Sequence, residues 1–258
     1  MFGRLMRDDF LPYRDEMIVT TKAGFPNIPG PYGDGGSRKY LLASLDRSLR
    51  NMGLDYVDIF YHHRADPETP LEETMGALAG AVKSGKALYA GISNYTPEQA
   101  EQAAKILRGM GVPLLICQSR YNMLERGVEE EGMFRTAECC GFGMTAYSPL
   151  SQGRLTGKYN SGIPAGSRAS RRQTSLSKDT ISPEMIGKVQ KIGKIARRRG
   201  QTPAQLALSW ILREPAMASV IVGVSSTAQL EENIAAVRNL SFEDEELAEI
   251  EKILNKAF

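Results

Sequence analysis

Histidine and tryptophan are scarce in this chain, with two His and one Trp among 258 residues. Cysteine is hardly commoner: Cys117, Cys139 and Cys140 are odd in number and show no C-x-x-C spacing, so they suggest neither a disulfide framework nor a zinc site. That usage fits the reducing cytosol, and a cytoplasmic protein is the expectation. An excess of one charge is missing too. The formal net charge is +2, from 32 Lys and Arg against 30 Asp and Glu, and the two signs are interspersed. Nothing here favours nucleic acid or an anionic membrane, and a small-molecule partner is expected. No apolar run approaches the roughly 18 residues that would suggest a membrane span. The opening MFGRLMRDDF carries acidic residues where a secretory signal would be apolar. A soluble, untargeted protein is therefore expected.

What the chain does have is rhythm. Short β-rich apolar runs (MIVTTK, VDIFYH, ALYAGIS, LLICQS, MTAYSPL and SVIVGV) each end just before Gly, Ser, Asn, Pro or a charged residue, and helical patterns lie between them. This alternation predicts six strands in a parallel sheet. The helical patterns are SRKYLLASLDRSLRNMG, with apolar Leu41, Leu42, Leu45 and Leu49, then PLEETMGALAGAVKSG, TPEQAEQAAKILRGMG and EEEGMFRTAECCG. Ser37 and Thr96 suit N-caps, and Gly53, Gly85 and Gly111 suit C-terminal stops. A long polar stretch, NSGIPAGSRASRRQTSLSKDTISPE, follows the fifth strand and precedes two more helical patterns ending at ALSWILRE. A loop of that length in a compact domain is usually functional or disordered.

A parallel βα series closes either as a doubly wound sheet or as an eight-stranded barrel. The first predicted strand runs into TTKAGFPNIPG, which lacks the G-x-G-x-x-G turn of a nucleotide-binding sheet. Polar residues instead terminate many strands, namely Lys22, His63, Ser93, Asn94, Gln118, Tyr147 and Ser225, as they do on the active face of a barrel. The expectation is a single (β/α)8 TIM-barrel domain over residues 1–258 in which only six strands are counted.

The segments TTKAG, YVDIFYHHR, GISNYTPEQ, AYSPLSQGRLTGKY and VGVSSTAQLEENIAA, in that order and spacing, resemble the aldo-keto reductases along nearly the whole chain. The insert GPYGDGGSRKYLLASLDRSLRNMGLDYVDIFY resembles the branch of the family that holds bacterial L-glyceraldehyde 3-phosphate reductases and the β subunits of voltage-gated potassium channels. The resemblance implies reduction of aldehydes and ketones with NADPH, using Asp, Tyr, Lys and His. Lys22 matches the lysine, whose charge would lower the pKa of the acid tyrosine. His63 matches the histidine that orients the carbonyl, where a donor must stand ready as charge develops on oxygen. His62 should point to the opposite side of its strand, into packing or solvent. Residue type alone does not separate a working histidine from a packed one.

The family's Asp and Tyr come from a segment reading roughly D-T-A-x-x-Y, which does not occur in these 258 residues. MFGRLMRDDF resembles the end of the helix after that segment. The expectation is an N-terminal truncation lacking the first two βα units, on the order of 60 residues, with impaired or absent turnover. Tyr32, Tyr61 and Tyr121 read more plainly as loop, strand-packing and strand-end tyrosines than as substitutes. For the cofactor, the resemblance assigns Ser93, Asn94 and Gln118 to the nicotinamide carboxamide and Tyr147 to stacking on its ring. Ser148, Leu150, Gln152, Gly153, Gly157 and Lys158 would form the pyrophosphate loop, with Arg168 in the basic stretch beyond. Gly223 and Ser225 precede a helix N-terminus suited to phosphate, and Gln229, Glu232 and Asn233 would face the adenosine.

Other features read blandly. ARRRG at 196–200 fits a helix C-terminus, SRASRRQTSLSKD a basic flap or a solvated loop, the Cys139–Cys140 pair half-buried packing, and Trp210 core. Two functions stay open: an NADPH-dependent carbonyl reductase, acting on L-glyceraldehyde 3-phosphate or methylglyoxal, and a non-catalytic cofactor-binding partner protein like the channel β subunits. A homo-oligomer is compatible with either.

Overall fold

The computed structural model describes residues 1–26, 29–30, 32–170, 176 and 180–255. In chain order the elements are α1 (Phe2–Leu5), β1 (Thr20–Ala23), α2 (Arg38–Met52), β2 (Val57–His62), α3 (Leu71–Lys83), β3 (Ala87–Ser93), α4 (Pro97–Gly109) and β4 (Leu114–Arg120). There follow α5 (Gly127–Glu130), α6 (Met133–Cys140), β5 (Gly143–Tyr147), α7 (Pro183–Arg198), α8 (Pro203–Leu212), β6 (Met217–Ile221), α9 (Thr227–Ile234) and α10 (Asp244–Leu254). The six strands form one sheet in chain order, which is the α/β architecture that the alternation predicts. β1 and β6 stand at the two ends of that order.

The helices begin and end where local chemistry directs. Ser37 accepts from the Tyr40 amide at the start of α2, which ends at Gly53, and Leu41, Leu45 and Leu49 lie on its buried face. Thr96 and Gln99 make a capping box at α4 with Pro97 in the first turn, and Thr202 and Gln205 repeat the device at α8. α8 is apolar nearly all round and is buried accordingly, with Trp210 wholly enclosed. The basic run at 197–199 does close α7.

Several boundaries differ from expectation. The first strand starts three residues late, because the Asp58 carboxylate takes the Val19 amide at 2.7 Å in place of a ladder partner. EEEGMFRTAECCG is two helices, α5 and α6, separated around Gly132. β6 lies two to three residues early and is mostly exposed, not buried. β5 stops at Tyr147 because Ser148 has a φ of 55°, which no strand can continue.

The chain divides into two compact units, Met1–Ser119 with Glu131–Met144, and Arg120–Glu130 with Thr145–Phe258. In the first, β1, β2, β3 and β4 pair in parallel with Lys22 opposite Tyr61, His62 opposite Ile92, and Ser93 opposite Gln118. Their C-terminal ends are thereby brought level. Large apolar side chains remain exposed in both units, among them Ile18 just before β1, Ile221 on β6, Ile234 on α9 and Val237 in the 3-10 turn that follows it.

Candidate functional site

In the first unit, the ends of β1, β2, β3 and β4 carry one hydrogen-bonded group. Lys22 Nζ donates to Gln118 Oε1 at 2.6 Å. Asn94 Nδ2 donates to the His63 carbonyl at 2.9 Å and to Ser93 Oγ at 3.0 Å, while the Asn94 amide donates to the Gln118 carbonyl at 3.0 Å. Asn94 holds this position with a left-handed φ of 56°. All five predicted residues of this half are thus brought together. Ser93 and Gln118 are buried, Lys22 and His63 half-buried, and Asn94 exposed.

Burial lowers the Lys22 pKa. Burial first, and then the charges of Lys22 and Arg64, lower that of His63, so its imidazole is neutral at neutral pH. The Phe25 ring meets His63 edge-on with centroids 4.4 Å apart. His62 faces the other way, as the strand period requires, and is fully buried with Nδ1 2.6 Å from Tyr95 Oη. Its ring is wedged against Gly24, where a Cβ would stand 2.9 Å from His62 Cδ2.

In the second unit, Tyr147, Ser148, Leu150, Gln152, Gly153, Gly157 and Lys158 lie on β5 and the single loop that follows it. Burial raises the Tyr147 pKa. Among the described residues, four non-glycines have left-handed backbone, and three of them are here: Ser148 (φ 55°), Ser151 (φ 47°) and Gln152 (φ 57°), with Asn94 the fourth. Left-handed non-glycine backbone persists only where its surroundings impose it, and such residues concentrate at binding sites. Gly153 continues the run at φ 92°, and a Cβ there would sit 3.2 Å from Lys158 Nζ.

Beyond β6, Gly223 and Ser225 are exposed ahead of α9, where the Ser226 side chain accepts from the Gln229 amide. Gln229 folds back, its Oε1 accepting from the Ser225 amide at 3.0 Å and from Ser225 Oγ at 3.1 Å. Glu232 and Asn233 are half-buried one turn on, and the Glu232 carbonyl accepts from Gln205 Nε2 at 3.0 Å. Arg168 opens a short 3-10 turn, Arg168–Ser170, while Arg171 and Arg172 lie outside the described residues.

The residues fit a dinucleotide. Ser93, Asn94 and Gln118 offer both donors and acceptors to a planar amide. The small residues and left-handed turns after β5, beside Lys158, suit close backbone approach to a pyrophosphate.

Sequence reasoning missed the polar cluster beneath that loop, formed by Asn122, Glu125 and Arg154. Asn122 is fully buried and donates to the Ser148 carbonyl at 3.1 Å. No local signal marks Asn122 and Glu125 in RYNMLER, or Arg154 in SPLSQGRLTGK. Tyr121, weighed as a substitute acid, donates to Glu129 Oε2 at 2.8 Å, and burial together with that carboxylate raises its pKa. Tyr61 packs with Ile59 and Ile116, and Lys22 Nζ stands 5.3 Å from its ring centroid. Tyr32 is exposed beside Lys39.

The chain belongs to the aldo/keto reductase family, whose profile matches residues 1–255; it is therefore an oxidoreductase by family. It is 51% identical over 254 residues to L-glyceraldehyde 3-phosphate reductase of Escherichia coli, an alignment that takes in 97% of this chain and 73% of that protein. It is 39% identical over 248 residues to a putative voltage-gated potassium channel subunit beta of Schizosaccharomyces pombe, covering 94% of this chain and 72% of that one. Among solved structures, a thermostable aldo-keto reductase crystallised with the inhibitor epalrestat superposes with a TM-score of 0.74 at 25% identity, over 98% of this chain and 76% of its own. Alignments that take in nearly all of this chain lend the expected truncation no support.

Proposed function

We propose that the chain is an NADPH-dependent reductase of small aldehydes and ketones, with L-glyceraldehyde 3-phosphate or methylglyoxal as substrate. The observation that carries this reading is the group at the ends of β1 to β4, where Lys22, His63, Ser93, Asn94 and Gln118 share four hydrogen bonds. NADPH, when bound, supplies a hydride to the carbonyl carbon. His63, neutral because burial and the charges of Lys22 and Arg64 lower its pKa, donates a hydrogen bond to the carbonyl oxygen and fixes its direction. Lys22 places a positive charge near the same point. Ser93, Asn94 and Gln118 orient the carboxamide, Tyr147 covers the ring, and the 148–158 loop receives the pyrophosphate, with Lys158 and Arg168 near the 2′-phosphate. Gly223, Ser225, Gln229, Glu232 and Asn233 serve the adenosine end.

A neutral His63 is a poor proton source, so the alkoxide calls for a separate acid. The family's acid tyrosine has no counterpart segment in this sequence. Turnover of the 258-residue chain should therefore fall about 10²–10⁴-fold below that of an enzyme with the acid. The same lack, with the likeness to channel β subunits, supports the second reading, a cofactor-binding protein without turnover. NADPH titration by fluorescence quenching, followed by NADPH oxidation with a short aldehyde, tests both. Binding without turnover supports the second reading, and failure to bind NADPH refutes both. Turnover at an ordinary enzyme rate refutes the missing-acid argument and makes Tyr61→Phe the next variant.

A further inference from the structure

The loop after β5 is held in its shape by side chains that no binding role accounts for. Ser148, Ser151 and Gln152 all occupy left-handed backbone, a conformation that serine and glutamine leave readily when nothing enforces it. Enforcement comes from the tight turn Asn122–Glu125, in which the two residues exchange backbone hydrogen bonds of 3.1 and 3.0 Å. From it, Asn122 Nδ2 donates to Glu125 Oε2 at 2.7 Å and to the Ser148 carbonyl at 3.1 Å, and Asn122 Oδ1 accepts from the Leu124 amide at 2.9 Å. The same Ser148 carbonyl accepts from the Ser151 amide at 2.9 Å. Ser151, fully buried, is then gripped on both sides: its hydroxyl donates to Glu125 Oε2 at 3.3 Å and accepts from Arg154 Nη2 at 2.6 Å. Arg154 and Arg120 flank Glu125 at 3.7 and 3.1 Å. Ser148 and Ser151 are thus tied directly to a largely buried, mutually satisfied polar cluster, and such a cluster is worth most when complete.

We propose that Asn122, Glu125 and Arg154 act as a latch that presets the Ser148–Gly153 loop in its cofactor-receiving shape, which makes Asn122 and Glu125 positioning residues for NADPH binding. The proposal rests on the cofactor reading above. Its physical content is preorganisation: the loop's ordering cost is met by folding instead of by the cofactor. The cofactor reading assigns neither residue a contact with NADPH, so their effect must travel through the loop's conformation. Asn122→Asp keeps the shape but removes the donor to Ser148 and sets a second carboxylate beside Glu125. Glu125→Gln, at a less buried position, keeps the volume and removes the charge that Arg154 and Arg120 flank.

The test is made on the whole 258-residue chain with two readouts, hydrogen exchange of the 148–156 amides without cofactor and NADPH affinity by fluorescence titration. Both variants should exchange faster in that segment and bind NADPH about tenfold more weakly, as expected when a buried hydrogen-bonded network loses one member. Ser93→Ala, a variant outside the loop, should weaken binding while leaving loop exchange unchanged. Unchanged loop exchange in both variants, or faster exchange with affinity within twofold of the parent, overturns the latch and leaves the cofactor reading standing. If the parent chain does not bind NADPH, the cofactor reading falls and takes the latch with it. Should Asn122→Asp fail to fold by circular dichroism, Glu125→Gln decides alone.

Discussion

The two groups of candidate residues, one in each unit, are built on opposite principles. Lys22, His63, Ser93 and Gln118 sit on or just past the ends of regular parallel strands, where the register of Lys22 with Tyr61 and of Ser93 with Gln118 fixes their height. Their backbone is ordinary, and only Asn94 departs from it. The loop from Ser148 to Gly153 has no ladder to define it and runs through four consecutive or nearly consecutive positive-φ residues. Where chemistry needs a few side chains at fixed distances, a sheet provides them at little conformational cost. Where a ligand needs backbone brought close, the chain must be bent against its preference and held there by side chains elsewhere.

The comparison breaks if the halves do not separate functionally. Against whatever turnover the parent chain shows, Lys22→Met and His63→Ala should each lower it about 10²-fold or more. NADPH affinity should stay within about twofold, since a group acting on the carbonyl contributes little to ground-state cofactor binding. Loss of NADPH binding comparable to the loss of turnover would show that the strand ends and the loop act as one site.

A second measurement sharpens the strand-end half. His62, buried beneath the strand end that carries His63, has its pKa pushed down to about 4, chiefly by burial. The unfolded chain binds a proton at the ordinary value of 6.5 that the folded chain refuses until about 4. Stability should therefore fall as pH drops through that window, by about 3 kcal/mol in all. Asp66 does not confuse the assignment, because its lowered pKa places its own contribution below 3.8. Denaturant unfolding of the parent and of His62→Gln between pH 7 and pH 4 measures the difference. A parent curve as flat as that of the variant would mean that His62 is not held neutral.

The same contrast governs what could be read from the sequence. Strand ends are legible because the pattern VDIFYH sets neighbouring residues on opposite faces: the period turns His62 away from His63, into packing or solvent, and the structure buries it. Caps at Ser37 and Thr96 were legible because serine and threonine there have a local partner, the amide three residues on. The loop's residues were named only through family resemblance, and its conformation was not legible at all. Serine and glutamine do not announce a left-handed φ. The partners that impose it, Asn122 and Glu125, are more than twenty residues away in an innocuous turn. The exposure of β6 is illegible for a related reason, since an apolar run such as SVIVGV looks the same whether or not another layer covers it.

Within the loop, Gly153→Ala should be the more damaging of two small changes. Alanine at a φ of 92° is strained, and its Cβ would stand 3.2 Å from Lys158 Cε and Nζ. The lysine end can move aside, so backbone strain dominates, at a cost of about 1–2 kcal/mol. NADPH affinity should fall about tenfold if that cost is relieved by leaving the bound shape. An unchanged affinity would mean that the turn at Gly153 is not part of the cofactor-receiving conformation.

The smallest expected effect concerns the choice between NADPH and NADH, for which the basic residues Lys158, Arg168, Arg171 and Arg172 are proposed. Lys158 is exposed, with its Nζ 5.0 Å from the Tyr159 ring centroid and close beside Gly153. A charge-assisted contact from such a side chain to a 2′-phosphate is screened by water and salt. It should contribute no more than an exposed ion pair does, about 0.2–1 kcal/mol. Lys158→Ala should therefore weaken NADPH about two- to fivefold and leave NADH unchanged, with the difference shrinking as ionic strength rises. Adding Arg168→Ala should deepen the loss of NADPH alone. Equal losses for both cofactors would place Lys158 at the pyrophosphate, and equal affinities of the parent for both would remove the 2′-phosphate from the loop's task altogether.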